Sequence, residues 1–433
     1  MQKKIIVLAL ALAFAAPAAF AETDKAELEK LRAMVQELDQ KIRTLEHKLE
    51  SKNEAAAPVR ASASTSSNTT ASANTAPGIT VYGQADLSYD RINNGTSAAG
   101  VAGASKGNVS SNVSRIGFKG SEGLSDSLSA IWQIEQQINI DNSTANANTF
   151  ASRNSFLGLK SDSAGTVLLG RHDTPYKLAT RRLDVFADSI ADNRALLGGV
   201  TSPTTVKSAS SAFDGRQPDI ILYTSPAMSG FTGTIAYANL AEPNTTAAAA
   251  KASLLSLAGM YDVAPFYGSL GYEEHKLDTA RAGGKESAWK LGLGYTMDAF
   301  TLGFAYEKTS DSLGAGAAGV VGAACAAKAA GSDCLGHNAY YLSGNYKMGM
   351  NAVKLAYGKA GQLASTANTG ANQVSLGYDH GLSKRTKLYA IYSRISNKTG
   401  SDYGFSQSTA STGTVNGIGS SPSVVSLGMR HSF

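Results

Sequence analysis

The chain has 433 residues, of which 43% are hydrophobic and only 17% are charged, with 44 glycines and two cysteines. This length is enough for one large β-domain and an appendage. The formal net charge is +5, and it falls to +3 if the two lysines of an N-terminal export signal are removed, so the charge does not favour a nucleic-acid partner.

Residues 1–21 have the pattern of a secretory signal peptide. Lys3 and Lys4 precede an apolar run of residues 5–15, and a small-x-small cleavage site ends at Ala21. A membrane anchor is the alternative, but the apolar run is too short to span a bilayer. No later stretch approaches the roughly 18 consecutive apolar residues of a transmembrane helix. The exported protein is therefore periplasmic, secreted, or an outer-membrane β-barrel.

Residues 22–52 are predicted to form a coiled-coil helix in the periplasm. Apolar side chains recur at alternating spacings of three and four, as a and d positions do: Leu28, Leu31, Val35, Leu38, Ile42, Leu45 and Leu49. A single amphipathic helix is the alternative, but this stripe is narrow for a globular core. Residues 53–77, rich in Ala, Ser, Thr and Asn, are predicted to be a flexible linker.

From residue 78 to residue 433, the chain alternates with a period of two. Large apolar side chains on one face oppose Gly, Ser and charged residues on the other, as in the stretch from Trp289 to Tyr295. Alternation alone does not say which face is outward. Sixteen strands are predicted, at about 79–92, 112–121, 127–139, 152–161, 165–172, 218–226, 230–240, 253–262, 265–275, 286–297, 300–309, 337–348, 350–360, 372–381, 385–396 and 423–433.

The connections between these strands alternate between short and long. The long ones include 93–111, 173–217, 310–336 and 397–422. Short turns at one end and long loops at the other are typical of outer-membrane barrels and unusual in sandwiches. The last strand ends on Phe433, which we expect in the aromatic girdle at the periplasmic edge, where this strand pairs with the first one. The predicted fold class is an all-β transmembrane barrel of sixteen antiparallel strands.

Five motifs resemble those of the Gram-negative trimeric porins, in particular the beta-proteobacterial general porins. They follow the family order over roughly residues 79–433: Val81-Tyr82-Gly83-Gln84, Ser114-Arg115-Ile116-Gly117-Phe118-Lys119-Gly120-Ser121-Glu122, Gly165-Thr166-Val167-Leu168-Leu169-Gly170-Arg171, Leu382-Ser383-Lys384-Arg385-Thr386 and Met429-Arg430-His431-Ser432-Phe433. The resemblance implies a homotrimer of sixteen-stranded barrels, each with its third loop folded into the lumen. The predicted coiled coil of residues 22–52 departs from the family pattern, in which the first strand begins shortly after the signal peptide.

The connection 173–217 is the longest and carries charges of both signs. Its apolar side chains could pin it inside a barrel, and the resemblance implies that it is the constriction loop, with loop acids facing basic residues on the wall. An external loop with solvated charges is the alternative. The residues expected at the constriction are Arg115, Arg153, Arg171, Arg181, Arg182, Asp184, Asp188, Asp192 and Arg194.

Further charged residues fall on the small-residue faces of the strands. On the lipid side, an Arg or Lys at mid-membrane costs about 2–4 kcal/mol, so we expect these side chains to point into the lumen. The residues expected to line the pore are Tyr82, Asp86, Lys119, Glu135, Lys290, Lys354, Arg394 and Arg430.

Cys325 and Cys334 lie nine residues apart within the long connection 310–336. In an oxidising compartment, we expect a disulfide between them. The six histidines show no ligand-spaced cluster, so no metal or cofactor is expected. A barrel lipase is the enzymatic alternative in a serine-rich chain, but no strand pairs a His and a Ser convincingly, and no enzymatic activity is expected.

The expected function is that of an outer-membrane porin, a water-filled channel for passive diffusion of small hydrophilic solutes and ions. A substrate-specific channel and a structural tether between outer membrane and cell wall are the alternatives. The expected partners are two further copies of the chain, outer-membrane lipid and lipopolysaccharide, and the barrel-assembly machinery through Phe433. Residues 22–77 are long enough to approach peptidoglycan.

Overall fold

A computed structural model describes residues 78–141, 150–199, 213–240, 252–277, 284–316, 323–408 and 417–433. The expected signal peptide, coiled-coil helix and linker lie outside the described residues. Within the described ranges, no helix is both long and apolar enough to cross a membrane.

The described chain forms one antiparallel sheet with two short helices and a 3-10 turn, Asn193–Ala195, between its strands. Helix α1 is Pro175–Arg181, and helix α2 is Ala323–Ala326. The strands are β1 Thr80–Asn93, β2 Ser105–Ser111, β3 Arg115–Ser125, β4 Leu128–Gln137, β5 Ser155–Ser161, β6 Gly165–Asp173, β7 Arg216–Thr224, β8 Phe231–Asn239, β9 Ser253–Val263, β10 Phe266–Lys276, β11 Lys285–Met297, β12 Phe300–Asp311, β13 Asn338–Met348, β14 Asn351–Ala360, β15 Ala371–Gly381, β16 Thr386–Asn397 and β17 Ser423–Ser432.

The sheet closes into a barrel of sixteen strands, as the sequence predicts. Segments β2 and β3 both pair with β1, along Leu87–Asn93 and Thr80–Gln84 respectively, and are two parts of one barrel strand. Val113, with φ of 53°, lies in the break between them. Strand β17 pairs with β1 from Asn93↔Ser423 to Gln84↔Ser432. At the closing edge, Gly83 and Phe433 exchange backbone hydrogen bonds of 3.0 and 3.1 Å.

The large apolar side chains point outward. Trp289, Leu291 and Leu293 of β11 are 39–50% exposed, whereas Ala288 and Lys290, on the opposite face of the same strand, are buried. Such a continuous apolar surface around the barrel is what lipid requires and what a soluble protein avoids. Near the short turns, aromatic pairs form a girdle: Phe231–Tyr261, Phe266–Tyr295 and Phe300–Tyr346.

The expected alternation of short turns and long loops is confirmed, with one correction. The turns at one end span two to six residues, such as Ala264 and Pro265 between β9 and β10. At the other end lie the long connections. The expectation that all of 93–111 is loop was wrong, because residues 105–111 continue the ladder with β1. This segment has one large apolar side chain, Val109, so its alternation is weak.

The long connection between β12 and β13 contains a small hydrophobic cluster around a disulfide. Cys325 and Cys334 are bonded, with their Cα atoms 5.4 Å apart, and both are buried. The Asp311 carboxylate accepts backbone hydrogen bonds from Leu313, Cys334 and Leu335 at 2.6–3.0 Å, which fixes both ends of this loop. The remaining cluster members are Leu277, Leu313, Leu335 and Leu363.

Candidate functional site

The described parts of the connection between β6 and β7, residues 174–199 and 213–215, lie against the inner face of the barrel, as the constriction-loop prediction requires. Helix α1 begins after Thr174, whose hydroxyl caps it, and packs against the inner faces of β9, β10 and β11. The Tyr267 and Ser269 hydroxyls both donate to the Ala179 carbonyl at 2.6 Å. Further along, the Ser343 hydroxyl donates to the Leu183 carbonyl, also at 2.6 Å.

The loop then continues along the inner wall toward β15 and β17. The Gln373 amide donates to the Ala191 carbonyl, and the Arg430 guanidinium donates to the Asp188 carbonyl. Phe186, Ile190, Leu196 and Leu197 of the loop are buried in one cluster with inner-wall side chains. The loop therefore lies along the inner wall from β9 round to β17, and it narrows the lumen from that side.

Wall glycines make room for this loop. A Cβ added to Gly303 would lie 2.8 Å from the Leu183 carbonyl oxygen, and one added to Gly377 would lie 2.7 Å from the Phe186 ring. At Gly358, it would lie 3.3 Å from Leu196. The glycines on the inner faces thus form a socket whose shape follows the loop.

The loop acids are arranged around the Arg181 guanidinium. Arg181 lies 2.8 Å from Asp192, 2.7 Å from Asp188 and 3.6 Å from Asp184. Arg194 pairs with Asp192 at 3.1 Å. The Asp184 carboxylate also accepts from the Tyr341 hydroxyl and from the Phe186 and Asn193 amides. This cluster fixes the tip of the loop against the wall.

Burial raises the pKa of these carboxyl groups, and the neighbouring guanidinium groups lower it. Burial and the neighbouring Asp192 raise the pKa of Asp184 to about 6. Burial also disfavours ionised Asp192, but the Arg181 and Arg194 guanidinium groups overcome it and hold the pKa of Asp192 well below its usual range. Asp184 is therefore the member of the pair that takes up a proton first as the pH falls.

On the wall, Glu135 of β4 joins two arginines. It pairs with Arg153 at 2.5 Å and approaches Arg115 at 4.0 Å, and the Tyr82 hydroxyl donates to it at 3.0 Å. Arg115 also reaches across to Asp188 of the loop at 3.2 Å. The structure thus brings Arg115, Arg153, Tyr82 and Glu135 together with the loop cluster.

Arg216, which sequence reasoning missed, extends this row of arginines. It pairs with Asp173 at 3.0 Å and donates to the Asn154 side chain at 2.7 Å. Lys177 pairs with the same aspartate at 2.7 Å. Arg216 is the first residue of β7, two positions before the predicted strand start, and it was therefore assigned to the loop without a role.

Water reaches the arginines of the cluster, but it does not reach two of the three loop acids. The side chains of Arg115, Arg153, Arg181, Arg194 and Arg216 are 12–22% exposed, whereas those of Asp184 and Asp192 are fully covered. Asp173, Asp188 and Glu135 keep 10–20% exposure. A solute at this level therefore meets five guanidinium groups and three carboxylates.

Three further expected wall residues face the lumen near the loop tip. Arg430 pairs with the buried Asp86 at 2.5 Å. Lys354 pairs with Asp379 at 2.7 Å, and Lys387 pairs with the same carboxylate at the same distance. Arg430, Lys354, Asp379 and Lys387 line a cavity of about 170 Å³ beside the loop tip. Elsewhere on the wall, Lys119 lies over the Tyr82 ring at 5.1 Å.

Four expected site residues are placed differently, three of them near the loop. Arg171 takes part in none of the ion pairs found among the described residues, and its Nε donates to the Ser152 carbonyl. A register shift at Gly170–His172 interrupts the side-chain alternation there, so the sequence pattern does not indicate where Arg171 points. Arg182 lies over the Tyr267 ring and pairs with Asp262 beside a short turn, away from the acid cluster. Lys290 faces inward, but the loop covers it, so it does not line open water.

The fourth, Arg394, does not line the pore. Inner-face Ser393 and Ile395 are buried, whereas Arg394 is exposed, on the outer face that also carries Tyr392. The expectation was wrong because small residues occur on both faces of β16. Arg394 pairs in register with Ser423 at the long-loop end of the barrel, where a long side chain can reach the headgroup region.

The family model for Gram-negative porins matches residues 55–400. The chain belongs to the Gram-negative porin family. Outer membrane porin protein 32 of Delftia acidovorans is 28% identical over 82% of this chain and 94% of its own length. An outer membrane porin protein of Bordetella pertussis is 27% identical over 74% of this chain and 83% of its own.

Among solved structures, the anion-selective porin from Comamonas acidovorans superposes with a TM-score of 0.66 at 26% identity, over 82% of this chain and all of that one. Family, fold and relatives agree on location and function. The chain is an outer-membrane porin, a channel for passive diffusion.

Proposed function

We propose that this porin prefers small anionic solutes, and that its selectivity is set where Arg115, Arg153 and Arg216 face the loop cluster. The observation that carries the proposal is the unequal exposure of the charges: all five arginines reach water, but Asp184 and Asp192 do not. A transverse field at a constriction acts on solutes through the charges that they can approach.

The similarity to an anion-selective porin supports this proposal. So does the balance of the cluster, in which the five arginines and Lys177 oppose five carboxylates, those of Asp173, Asp184, Asp188, Asp192 and Glu135. The excess is one positive charge, and we therefore propose that the channel has a weak preference for anions and discriminates between solutes by charge and size. Saturable binding of one solute would instead indicate a substrate-specific channel.

The selectivity test is a reversal-potential measurement in a KCl gradient across a planar bilayer. We expect the wild-type channel to favour chloride. Arg115→Gln should lower the chloride-to-potassium permeability ratio about threefold, since one unit charge acting over roughly 7 Å of water is worth about 0.6 kcal/mol. Arg394→Gln, on the outer face, is the matched control and should leave the ratio unchanged.

Two results would contradict this proposal. Clear cation selectivity of the wild-type channel would remove the anion preference itself. An unchanged ratio in Arg115→Gln would remove that residue from the selectivity site. Absence of any conductance would favour the alternative of a structural tether.

We further propose that the porin is a homotrimer. Its support is a stretch of the outer wall, on β5–β7, where the exposed side chains include Leu157, Leu159, Val167, Leu169 and Ile221, in contrast to the aromatic girdle of β8–β13. Apolar surfaces form the buried cores of interfaces between identical subunits. Native mass spectrometry of the detergent-solubilised protein gives the copy number directly, and a monomer would contradict the proposal.

The remaining partners are also proposals. The heptads of residues 22–52, outside the described residues, support a three-stranded parallel coiled coil that could approach peptidoglycan. Deletion of 22–77 should leave conductance intact while abolishing co-sedimentation with purified peptidoglycan. Phe433, half-exposed at the barrel seam, suits recognition by the barrel-assembly machinery, and the outer wall suits lipopolysaccharide.

A further inference from the structure

We propose that Glu307 and Lys290 form a latch that positions the constriction loop, and that this latch, rather than exposed pore-lining charge, is the role of Lys290. The inference builds on the proposed function, because the loop forms one side of the selectivity site. Lys290 of β11 and Glu307 of β12 are direct cross-strand partners, 3.3 Å apart, and both are buried beneath the loop.

The Glu307 carboxylate binds two distant parts of the loop. It accepts from the Tyr176 hydroxyl at 2.8 Å, near the start of the loop. It also accepts from the backbone amides of Gly198 and Gly199 at 2.9–3.0 Å. One side chain of the wall thus ties together the outgoing and returning arms.

The glycine pair is built to receive a carboxylate. Gly198 and Gly199 have φ values of 87° and 73°, a conformation that other residues adopt only with strain. Successive amides in such a turn point into one concavity and form an anion-binding nest. A Cβ at Gly199 would lie 2.5 Å from the Phe213 ring, so space and conformation both require glycine.

Lys290 holds the third part of the loop. Its ammonium lies 2.5 Å from the Asp214 carboxylate on the returning arm and 4.2 Å from the centre of the Tyr176 ring. Without this cation, the Asp214 and Glu307 carboxylates would face each other with little access to water, which is strongly unfavourable. The latch therefore needs all of its parts: an anion for the nest, and a cation between that anion and the returning arm.

A charge-exchange variant distinguishes a latch from an ion pair that only stabilises the barrel wall. Exchanging the charges in Lys290→Glu with Glu307→Lys preserves a cross-strand pair. The exchange leaves the glycine amides without an acceptor, and it sets the carboxylate introduced on β11 against Asp214. A pair that only stabilises the sheet would tolerate this exchange, whereas the latch would fail.

The experiment measures loop position with an introduced thiol in the full-length protein. Ala195 is 2% exposed, three residues before the nest, and the two native cysteines are bonded to each other. Ala195→Cys should react slowly with a charged thiosulfonate in the otherwise wild-type porin. It should react at least tenfold faster with Glu307→Ala, with Lys290→Met and with the charge exchange. Single-channel recordings of these variants should show conductance sublevels that the parent lacks.

Asp262→Asn, which removes the exposed pair with Arg182, is the control and should change neither labelling nor conductance. A folded, heat-resistant barrel in each variant shows that only the loop has moved. Unchanged labelling and conductance in Lys290→Met, or their restoration by the charge exchange, would overturn the latch. Neither result would decide the Arg115 selectivity test. Conversely, a cation-selective wild-type channel would contradict the proposed anion preference without changing the thiol-labelling result.

Discussion

The Nη1 atom of Arg115 and the Oδ2 atom of Asp188 lie 3.2 Å apart inside the barrel, although the two residues are 73 positions apart in sequence. Arg115 belongs to a strand of the wall and Asp188 to the loop that lies along the inner wall. The same aspartate pairs with Arg181, so wall and loop charges form one network. Selectivity and loop position are therefore linked through Asp188.

Acidification should strengthen the anion preference. Because the pKa of Asp184 is raised to about 6, this group gains a proton as the pH falls from 8 to 5. Its negative charge then no longer compensates that of Arg181, which water reaches, so the net charge of the cluster becomes more positive by one. The raised pKa also means that Asp184 favours the folded state below about pH 4, and that this contribution is lost as the pH rises through 6. Reversal potentials between pH 8 and 5 should give a midpoint near 6.

Asp184→Asn is the control for that titration. This variant should show, at every pH from 8 to 5, the permeability ratio that the wild-type channel shows at pH 5. A midpoint near 6 that persists in Asp184→Asn would assign the titration to another group.

Gly377→Val should move the loop tip. A Cβ at this position would lie 2.7 Å from the Phe186 ring, so the ring and its backbone must shift toward the pore axis. We expect lower single-channel conductance and a destabilisation of about 1–3 kcal/mol, as is usual for overpacking. Gly268→Val is the matched control, because nothing lies within 4 Å of a Cβ added at that position. Equal conductance in the two variants would contradict the socket.

Tyr403→Ser should widen the outer entrance without changing selectivity. Tyr403 and Phe405 of the connection after β16 are buried in the cluster that contains Ile190 and Leu196 of the constriction loop. Loss of the ring should free this connection, while the arginines stay in place. Conductance should therefore rise at a constant permeability ratio. A changed ratio would show that this connection also positions the charged cluster.

Removing the disulfide should loosen only the outer loop. Cys325→Ser with Cys334→Ser opens a ring of about ten residues, which is worth up to roughly 3 kcal/mol by loop entropy. Since these residues pack in a cluster with Leu277, Leu313, Leu335 and Leu363, which lie beyond the strand ends, the barrel should unfold at nearly the same temperature. Proteolysis within 310–336 should become faster. A large drop in barrel unfolding temperature would contradict a local role.

The strands of this porin follow from side-chain alternation, because lipid outside and water or loop inside impose opposite demands on successive residues. Pairing partners do not follow from it. Arg171 lies within the register shift between Gly170 and His172, where the alternation of side chains no longer indicates a face. Arg216 gains its role from Asp173, which lies at the other end of the same loop. Lys290 was predicted to line the pore because alternation within β11 does not reveal that the β6–β7 loop, distant in sequence, covers its side chain.

The socket of wall glycines has a consequence for pore engineering. At Gly303, Gly358 and Gly377, the wall presents bare peptide groups that the loop covers. A shortened loop would expose this backbone to the passing solution, along with the buried Glu307 and Lys290. The peptide groups there are already paired between neighbouring strands, so the enlarged channel would have on that side a smooth, uncharged stretch of wall interrupted by one ion pair.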